Sequence, residues 1–290
     1  VRWLPHSLPV VYATITSATI TVVKLLNGSE LAGYIKERQA HEVRSLRQSL
    51  HVQPKLAITV TVDHPAIDVY MRMKQRYGDD IGVLVDIHRI KQAEVAALVA
   101  RLNDDPDVHG IIIQLPLADP SQTQALCDLV DPKKDVDGLG MGAVMDAATP
   151  MAILWLLAGY NVDMSGKKIV LVGRGKLVGA PLERMLKASG YDVESVDVNT
   201  PNIPEIVKTA DIIVTATGTP RLITGDMVKR GAVVVDAGTA SEQGKIVGDV
   251  SPELYERDDI TITPTKGGVG PLTICALFEN LIRASRQIKS

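Results

Sequence analysis

Short runs of β-branched and apolar residues alternate along this chain with stretches of helical character, and that alternation restricts the fold more than any other feature. Ser29 is placed to cap a helix through Leu31, Ile35 and Val43 to Leu46. A strand-like run follows at 56–62 (LAITVTV), then a break at Asp63-His64-Pro65 and a helix through Ile67, Tyr70, Met71 and Lys74 to Gly78. Next come a strand at 82–87, a helix at 92–102 and a strand at 110–115 (GIIIQL). A helical segment at 121–130, a charged turn-forming stretch at 131–138 and a helix at 150–159 capped by Thr149 complete the first half. The alternation then restarts: 168–172, 193–197, 212–216, 233–237 and 260–263 read as strands between helical stretches, and 271–290 as a last helix opened by Pro271. Repetition of this kind builds parallel sheets wound with helices, so the expected fold class is α/β in two domains with a boundary around 148–166.

Composition narrows the function classes. The 290 residues carry 31 basic and 34 acidic side chains, a formal net charge of -3, with 46% hydrophobic content, enough for real cores in a globular protein. Neither a basic face nor a set of stacking aromatics is available, with two Trp, seven Tyr and one Phe, so nucleic acid is not an expected partner. Cys127 and Cys275 lie far apart with no C-x-x-C partner, which argues against a disulfide framework or a structural metal and for a reducing compartment, the cytoplasm by default. All six histidines precede residue 110, so any histidine acid/base chemistry belongs to the first half. Residues 7–23 carry no charge, but the run is too short and too rich in Thr and Ser for a spanning helix, and no membrane is expected as a partner; residues 1–22 are read as an extension without assigned function.

A glycine loop points to a cofactor. Gly173-Arg174-Gly175-Lys176-Leu177-Val178-Gly179 follows the strand IVLV and precedes an apparent helix at 180–188, the context that a dinucleotide site requires. The first glycine permits a tight turn, the second lets backbone approach a pyrophosphate, and the helix N-terminus offers amides and a positive dipole to the anion. The last glycine comes one residue later than in the G-x-G-x-x-G pattern. Asp197, 24 positions after Gly173, has the spacing of an acidic residue that accepts hydrogen bonds from an adenosine ribose and repels a 2'-phosphate. Arg174 and Lys176 offer charge to that same phosphate, so NAD and NADP both stay open, with a lean to NAD.

The first half supplies reactive groups. Tyr70 and Lys74 are four apart and share a helix face, Gln114 ends the GIIIQ strand where such sheets present ligand-binding residues, and Asp135 and Asp137 flank Val136 in a turn. Taken singly, each has an ordinary explanation as a solvated lysine, a core-edge tyrosine or turn-forming aspartates.

Six motifs in order, HPAIDVYMRMK (64–74), GIIIQLPL (110–117), KKDVDGL (133–139), VGRGKLVGAPL (172–182), ADIIVTATG (210–218) and TPTKGGVGPLT (263–273), closely resemble the bifunctional methylenetetrahydrofolate dehydrogenase/cyclohydrolase (FolD) family. The resemblance runs over about residues 23–285. It implies an N-terminal α/β catalytic domain (23–148) completed by the last helix (271–288), a Rossmann-type NAD(P)-binding domain (149–270), a folate cleft between them, and a homodimer. It implies oxidation of 5,10-methylenetetrahydrofolate to 5,10-methenyltetrahydrofolate with NAD or NADP, then hydrolysis to 10-formyltetrahydrofolate. Carried over by motif, Lys74 is the central catalytic residue, Tyr70 orients it and Gln114 tunes its protonation. Asp137, with Asp135 as a weaker candidate, binds the pterin, and Gly268, Gly270 and Pro271 shape the wall where folate and nicotinamide meet. Gly173, Arg174, Gly175, Lys176, Gly179, Asp197, Thr217 and Gly218 are the implied cofactor contacts.

Departures from the family pattern are equally specific. Ile67 stands where the family commonly has Ser, Gly175 where it has the Ser of Arg-Ser, Asp197-Val198 where it has His-Ser, and Lys266 where it has Pro. The segment from Gly138 to Thr149 is about ten residues shorter than is common. Losing two hydroxyls and gaining a carboxylate weakens the NADP reading usual for the family. Two other readings remain: a dehydrogenase with weakened cyclohydrolase, and a nucleotide-binding scaffold without turnover. A scaffold has no need of Tyr70, Lys74, Gln114 and Asp137 together.

Overall fold

A computed structural model describes residues 24–242 and 245–287; the extension at 1–22 lies outside them. The first half runs through β1 (Lys24–Leu25), α1 (Gly28–Ser49), β2 (Lys55–Val60), α2 (Pro65–Ile81), β3 (Leu84–Arg89), α3 (Val95–Asp104), β4 (Gly110–Ile113) and α4 (Thr123–Cys127). The second runs through α5 (Ala148–Gly159), β5 (Ile169–Val172), α6 (Gly179–Ala188), β6 (Val193–Val196), α7 (Ile203–Lys208), β7 (Ile212–Thr215), β8 (Val233–Asp236), the short pair β9 (Ala240–Glu242) and β10 (Lys245–Val247), β11 (Thr261–Ile262) and α8 (Val269–Gln287). Among the described residues no helix is long and apolar enough to cross a membrane.

Two compact units result. One contains residues 35–148 and 274–287, the other residues 24–34 and 149–273. The first unit holds a parallel three-stranded sheet in the order β3-β2-β4. Period-two alternation assigns its faces. Ala57, Ile111 and Ile113 pack with Val95, Leu98, Val99 and Leu102 of α3. Gly110 looks the other way, where an added Cβ would meet Leu281 of α8 at 2.7 Å and Val136 at 2.8 Å. Gln114, the next residue of that second register after Ile112, continues the same face beyond the strand's C-terminal end.

The second unit holds a parallel sheet in the order β1-β11-β8-β7-β5-β6. The chain leaves β5 to one side for β6 and then returns to the other side for β7, so a topological switch point lies between β5 and β7. Val170, Val172, Ile213 and Val234 line its core, and α5 is buried on all sides, from Met151 to Leu157.

β1 pairs with β11, and residues 24–34 count with the six-stranded unit. Two expectations are corrected. The cap of α1 is Asn27, whose Oδ1 accepts from the amides of Ser29 (3.1 Å) and Glu30 (3.3 Å), while Ser29 lies inside the helix. The last helix begins at Val269, so Pro271 sits in its first turn, where a missing N–H costs nothing.

Candidate active site and dinucleotide cradle

The helix α2 turns a stripe at Ile67, Met71 and Ile81 into the first unit's core, each 4% exposed or less. Lys74 falls on that stripe, seven residues after Ile67 and seven before Ile81, so its amine is carried inward although its residue type favours solvent. There Nζ donates to Gln114 Oε1 at 2.9 Å. The amide is itself oriented, because Gln114 Nε2 donates to Leu115 O at 2.7 Å and its backbone N–H donates to Thr59 O at 2.9 Å. Burial pushes the Lys74 ammonium below its ordinary range, and the negative charge of Asp137 works against that shift. The Asp137 carboxyl is pushed up by the same burial, with the lysine charge opposing. Tyr70 stands one turn earlier on α2, half-buried, and no hydrogen bond joins its hydroxyl to Lys74.

The two aspartates divide their work. Asp135, 5% exposed, accepts from the amides of Gly138 (2.9 Å) and Gly140 (2.7 Å) and so closes the turn on itself. Its carboxylate is engaged by these loop amides. The Asp137 carboxylate accepts no hydrogen bond from the described residues. Two groups fix the loop that presents it. Lys134 Nζ, buried, donates to the carbonyls of Leu102, Asn103 and Asp105 at the end of α3. Asn280 of α8 donates to Val136 O and Asp146 O, both at 2.9 Å. Sequence reasoning passed over both; the signal for Asn280 was an amide among the buried apolar residues of α8.

In the second unit the glycine loop lies at the switch point. Gly173 N donates to Val196 O at 2.8 Å and Ala216 N to Val172 O at 2.9 Å, so the ends of β6, β5 and β7 bring Asp197, Gly173 and Thr217-Gly218 side by side. Gly173 has φ 103°, and an added Cβ would meet Ala216 O at 2.8 Å. A Cβ on Gly179 would fall 1.9 Å from Gly173 O, so the start of α6 presses against the loop. No side chain caps α6. A tight cradle of main-chain groups at an uncapped helix start suits the pyrophosphate of a dinucleotide. Gly175, by contrast, has open space around its Cβ position.

Around the cradle, Asp197 Oδ1 accepts from Asn199 N at 2.9 Å, Arg174 Nε donates to Glu183 at 3.3 Å, and Lys176 is exposed. Asp249, fully buried, accepts from Thr215 Oγ1 and Thr217 N, both at 2.6 Å, and pins the loop that carries Thr217 and Gly218. Nothing in the local sequence marked Asp249 or Glu183. Gly268 is held where Gly28 approaches it, since a Cβ on Gly28 would lie 1.8 Å from Gly268 O and Ser29 N donates to Gly267 O at 2.9 Å. Gly270 and Pro271 occupy the first turn of α8.

A switch-point cradle in one α/β unit, together with a desolvated lysine in the other, defines the class: a two-domain α/β enzyme that uses a dinucleotide. The profile of the tetrahydrofolate dehydrogenase/cyclohydrolase catalytic domain matches residues 26–137, and that of the same family's NAD(P)-binding domain matches residues 147–289. The bifunctional protein FolD of Nitratiruptor sp. is 36% identical over 280 residues, covering 92% of this chain and 99% of the relative. Among solved structures, the FolD dehydrogenase/cyclohydrolase of Campylobacter jejuni superposes with a TM-score of 0.85 at 33% identity, covering 91% of this chain and 99% of that one. The Trypanosoma brucei FolD, complexed with NADP and an inhibitor, gives the same TM-score at 28% identity, with 91% and 98% covered. This chain belongs to the tetrahydrofolate dehydrogenase/cyclohydrolase family.

Proposed function

We propose that Lys74 is the proton-accepting catalytic residue of this dehydrogenase/cyclohydrolase, with Gln114 and Tyr70 positioning it and Asp137 binding the pterin. The observation that carries the reading is the hydrogen bond of a desolvated Lys74 amine to an oriented Gln114 amide, with an uncommitted carboxylate acting on the same amine. The enzyme oxidises 5,10-methylenetetrahydrofolate to the 5,10-methenyl compound and hydrolyses that to 10-formyltetrahydrofolate. When bound, the nicotinamide supplies the hydride acceptor.

The oxidation needs placement more than proton chemistry, and this chain contributes orientation. Asp137 accepts from the pterin amino and ring N–H groups, and Gly268, Gly270 and Pro271 shape the wall. Gly173, Gly175, Gly179, Thr217 and Gly218 offer main-chain and hydroxyl groups to the dinucleotide, with Arg174 and Lys176 beside them. Asp197 at the end of β6 favours NAD over NADP, because a carboxylate there accepts from ribose hydroxyls and repels a 2'-phosphate. Hydrolysis adds water to the methenyl carbon and releases a proton, which neutral Lys74 accepts. One N–H of that amine goes to Gln114 Oε1, leaving the lone pair for the water's proton. The protein is further read as a homodimer, on family resemblance, and as cytoplasmic, a reading in keeping with two buried cysteines that form no disulfide among the described residues.

The test is the pH profile of methenyltetrahydrofolate hydrolysis. Burial lowers the Lys74 pKa, so the rate is expected to fall toward acid pH, as the amine takes a proton, with an inflection below the ordinary lysine range. A profile flat across that titration removes Lys74 as the base.

A further inference from the structure

The cradle carries a charge arrangement that its fold does not require. Glu183 stands in the second turn of α6 and is only 9% exposed. Its Oε1 accepts from Lys187 Nζ at 2.7 Å, an ordinary pair one helical turn apart, which alone would satisfy the carboxylate. Its Oε2 accepts as well from Nε of Arg174, nine residues earlier in the loop, at 3.3 Å. The hydrogen bond from Lys187 is the main cause that holds the Glu183 carboxyl below the usual carboxylate range despite its burial, and the Arg174 and Lys187 charges and the Ser195 hydroxyl of β6 act in the same sense.

Charge then decides what this corner accepts. Arg174 and Lys176 are the loop's cations, and Glu183 and Asp197 set two negative charges among them. A 2'-phosphate is recognised by charge-assisted hydrogen bonds from cations whose charge is not already cancelled. The carboxylate is mostly covered but the Arg174 side chain is half-exposed, so salt screens their attraction in part. Gly175 offers no hydroxyl in place of the engaged guanidinium, and open space surrounds its Cβ position.

We propose that Glu183 is a specificity-determining residue of the dinucleotide site: its carboxylate holds Arg174 along α6 and cancels its charge, so that the site selects a dinucleotide with free adenosine ribose hydroxyls over one carrying a 2'-phosphate. The inference rests on the reading of residues 173–179 as the dinucleotide cradle.

Calorimetric titration of the full chain with NAD and, separately, NADP tests it without turnover. Native protein is expected to bind NAD more tightly. Glu183→Gln is expected to tighten NADP about tenfold, the worth of one freed charge-assisted hydrogen bond, while NAD stays within about twofold. Arg174→Ala, which removes a half-exposed side chain, provides the second arm. It is expected to shift the NADP-to-NAD ratio by less than about twofold in the native background and to cancel the gain in the Glu183→Gln background. A native Arg174→Ala protein that loses NADP affinity selectively, or a Glu183→Gln protein whose ratio is unchanged or moves against NADP, overturns the proposal; the last result would mean that the carboxylate aims Arg174 at the phosphate. If folded native protein binds neither dinucleotide, the reading of the cradle itself fails, a result distinct from an unchanged ratio.

Discussion

The two units solve different problems with different parts of the chain. In the three-stranded unit the candidate groups are side chains, an amine, an amide and a carboxylate, and burial shifts the protonation of the amine and the carboxylate. In the six-stranded unit they are main-chain groups, and contact with neighbouring backbone sets their shape. The first site is therefore vulnerable to a change of functional group at constant fold, the second to the addition of a single carbon. Substitutions that exchange these vulnerabilities test whether the contrast holds.

The largest effect is expected from Lys74→Met, which keeps an unbranched chain on the buried stripe and removes the amine. Hydrolysis of methenyltetrahydrofolate should fall roughly 10²- to 10⁴-fold, the usual worth of a positioned general base, while nicotinamide reduction stays measurable. Equal losses in both assays would show that Lys74 serves placement and would break the contrast. The complementary change is Gly179→Ala. Its Cβ would fall 1.9 Å from Gly173 O, a backbone atom that cannot swing aside, so the loop or the helix must shift. Dinucleotide affinity should drop by about 10²-fold, the scale of an ångström-level misplacement, with hydrolysis of supplied methenyltetrahydrofolate retained. Loss of hydrolysis in a folded Gly179→Ala protein would mean that the two sites are not separable.

Within the first unit the aspartates give a smaller, internal version of the same contrast. Asp135→Ala leaves the amides of Gly138 and Gly140 without their acceptor and should cost about 2 kcal/mol in urea unfolding of that unit. Asp137→Ala removes a carboxylate that accepts no hydrogen bond from the described residues, so the urea midpoint should hold while the folate KM rises. A reversal of these outcomes would return Asp135 to the ligand and Asp137 to the loop.

How far the sequence revealed each site follows the same division. The cradle was legible because a tight turn between a strand and a helix is written locally, in glycines at fixed offsets after IVLV. The group at Lys74 was not, because its members come from three separate segments and each has an ordinary reading alone; only family resemblance joined them. Periodicity did hold one unused clue, a lysine on the same helical stripe as Ile67, Met71 and Ile81. The role of Asp135 was hidden since adjacent turn aspartates look alike until the amides that they accept from are placed. Asn27 and Ser29 are both good caps two residues apart, and local propensity cannot choose between them. The two-residue β1 escaped because its partner lies over 230 residues further on, at Thr261–Ile262.

The smallest expected effect is the most discriminating about the cofactor. Asp197→Ser should preserve the turn after β6, because a serine hydroxyl can still accept from the Asn199 amide that Oδ1 now holds at 2.9 Å. What the change removes is the charge. If that charge is what disfavours a 2'-phosphate, the ratio of kcat/KM for NADP to that for NAD should rise by several-fold, about 1 kcal/mol, with hydrolysis unaffected. The size is modest because the Arg174–Glu183 pair remains in place beside it. A ratio that does not move would take Asp197 out of the specificity argument and leave selection to the charges around Arg174. A rise that becomes larger when Glu183→Gln is added would show the two carboxylates acting on one phosphate site from two sides.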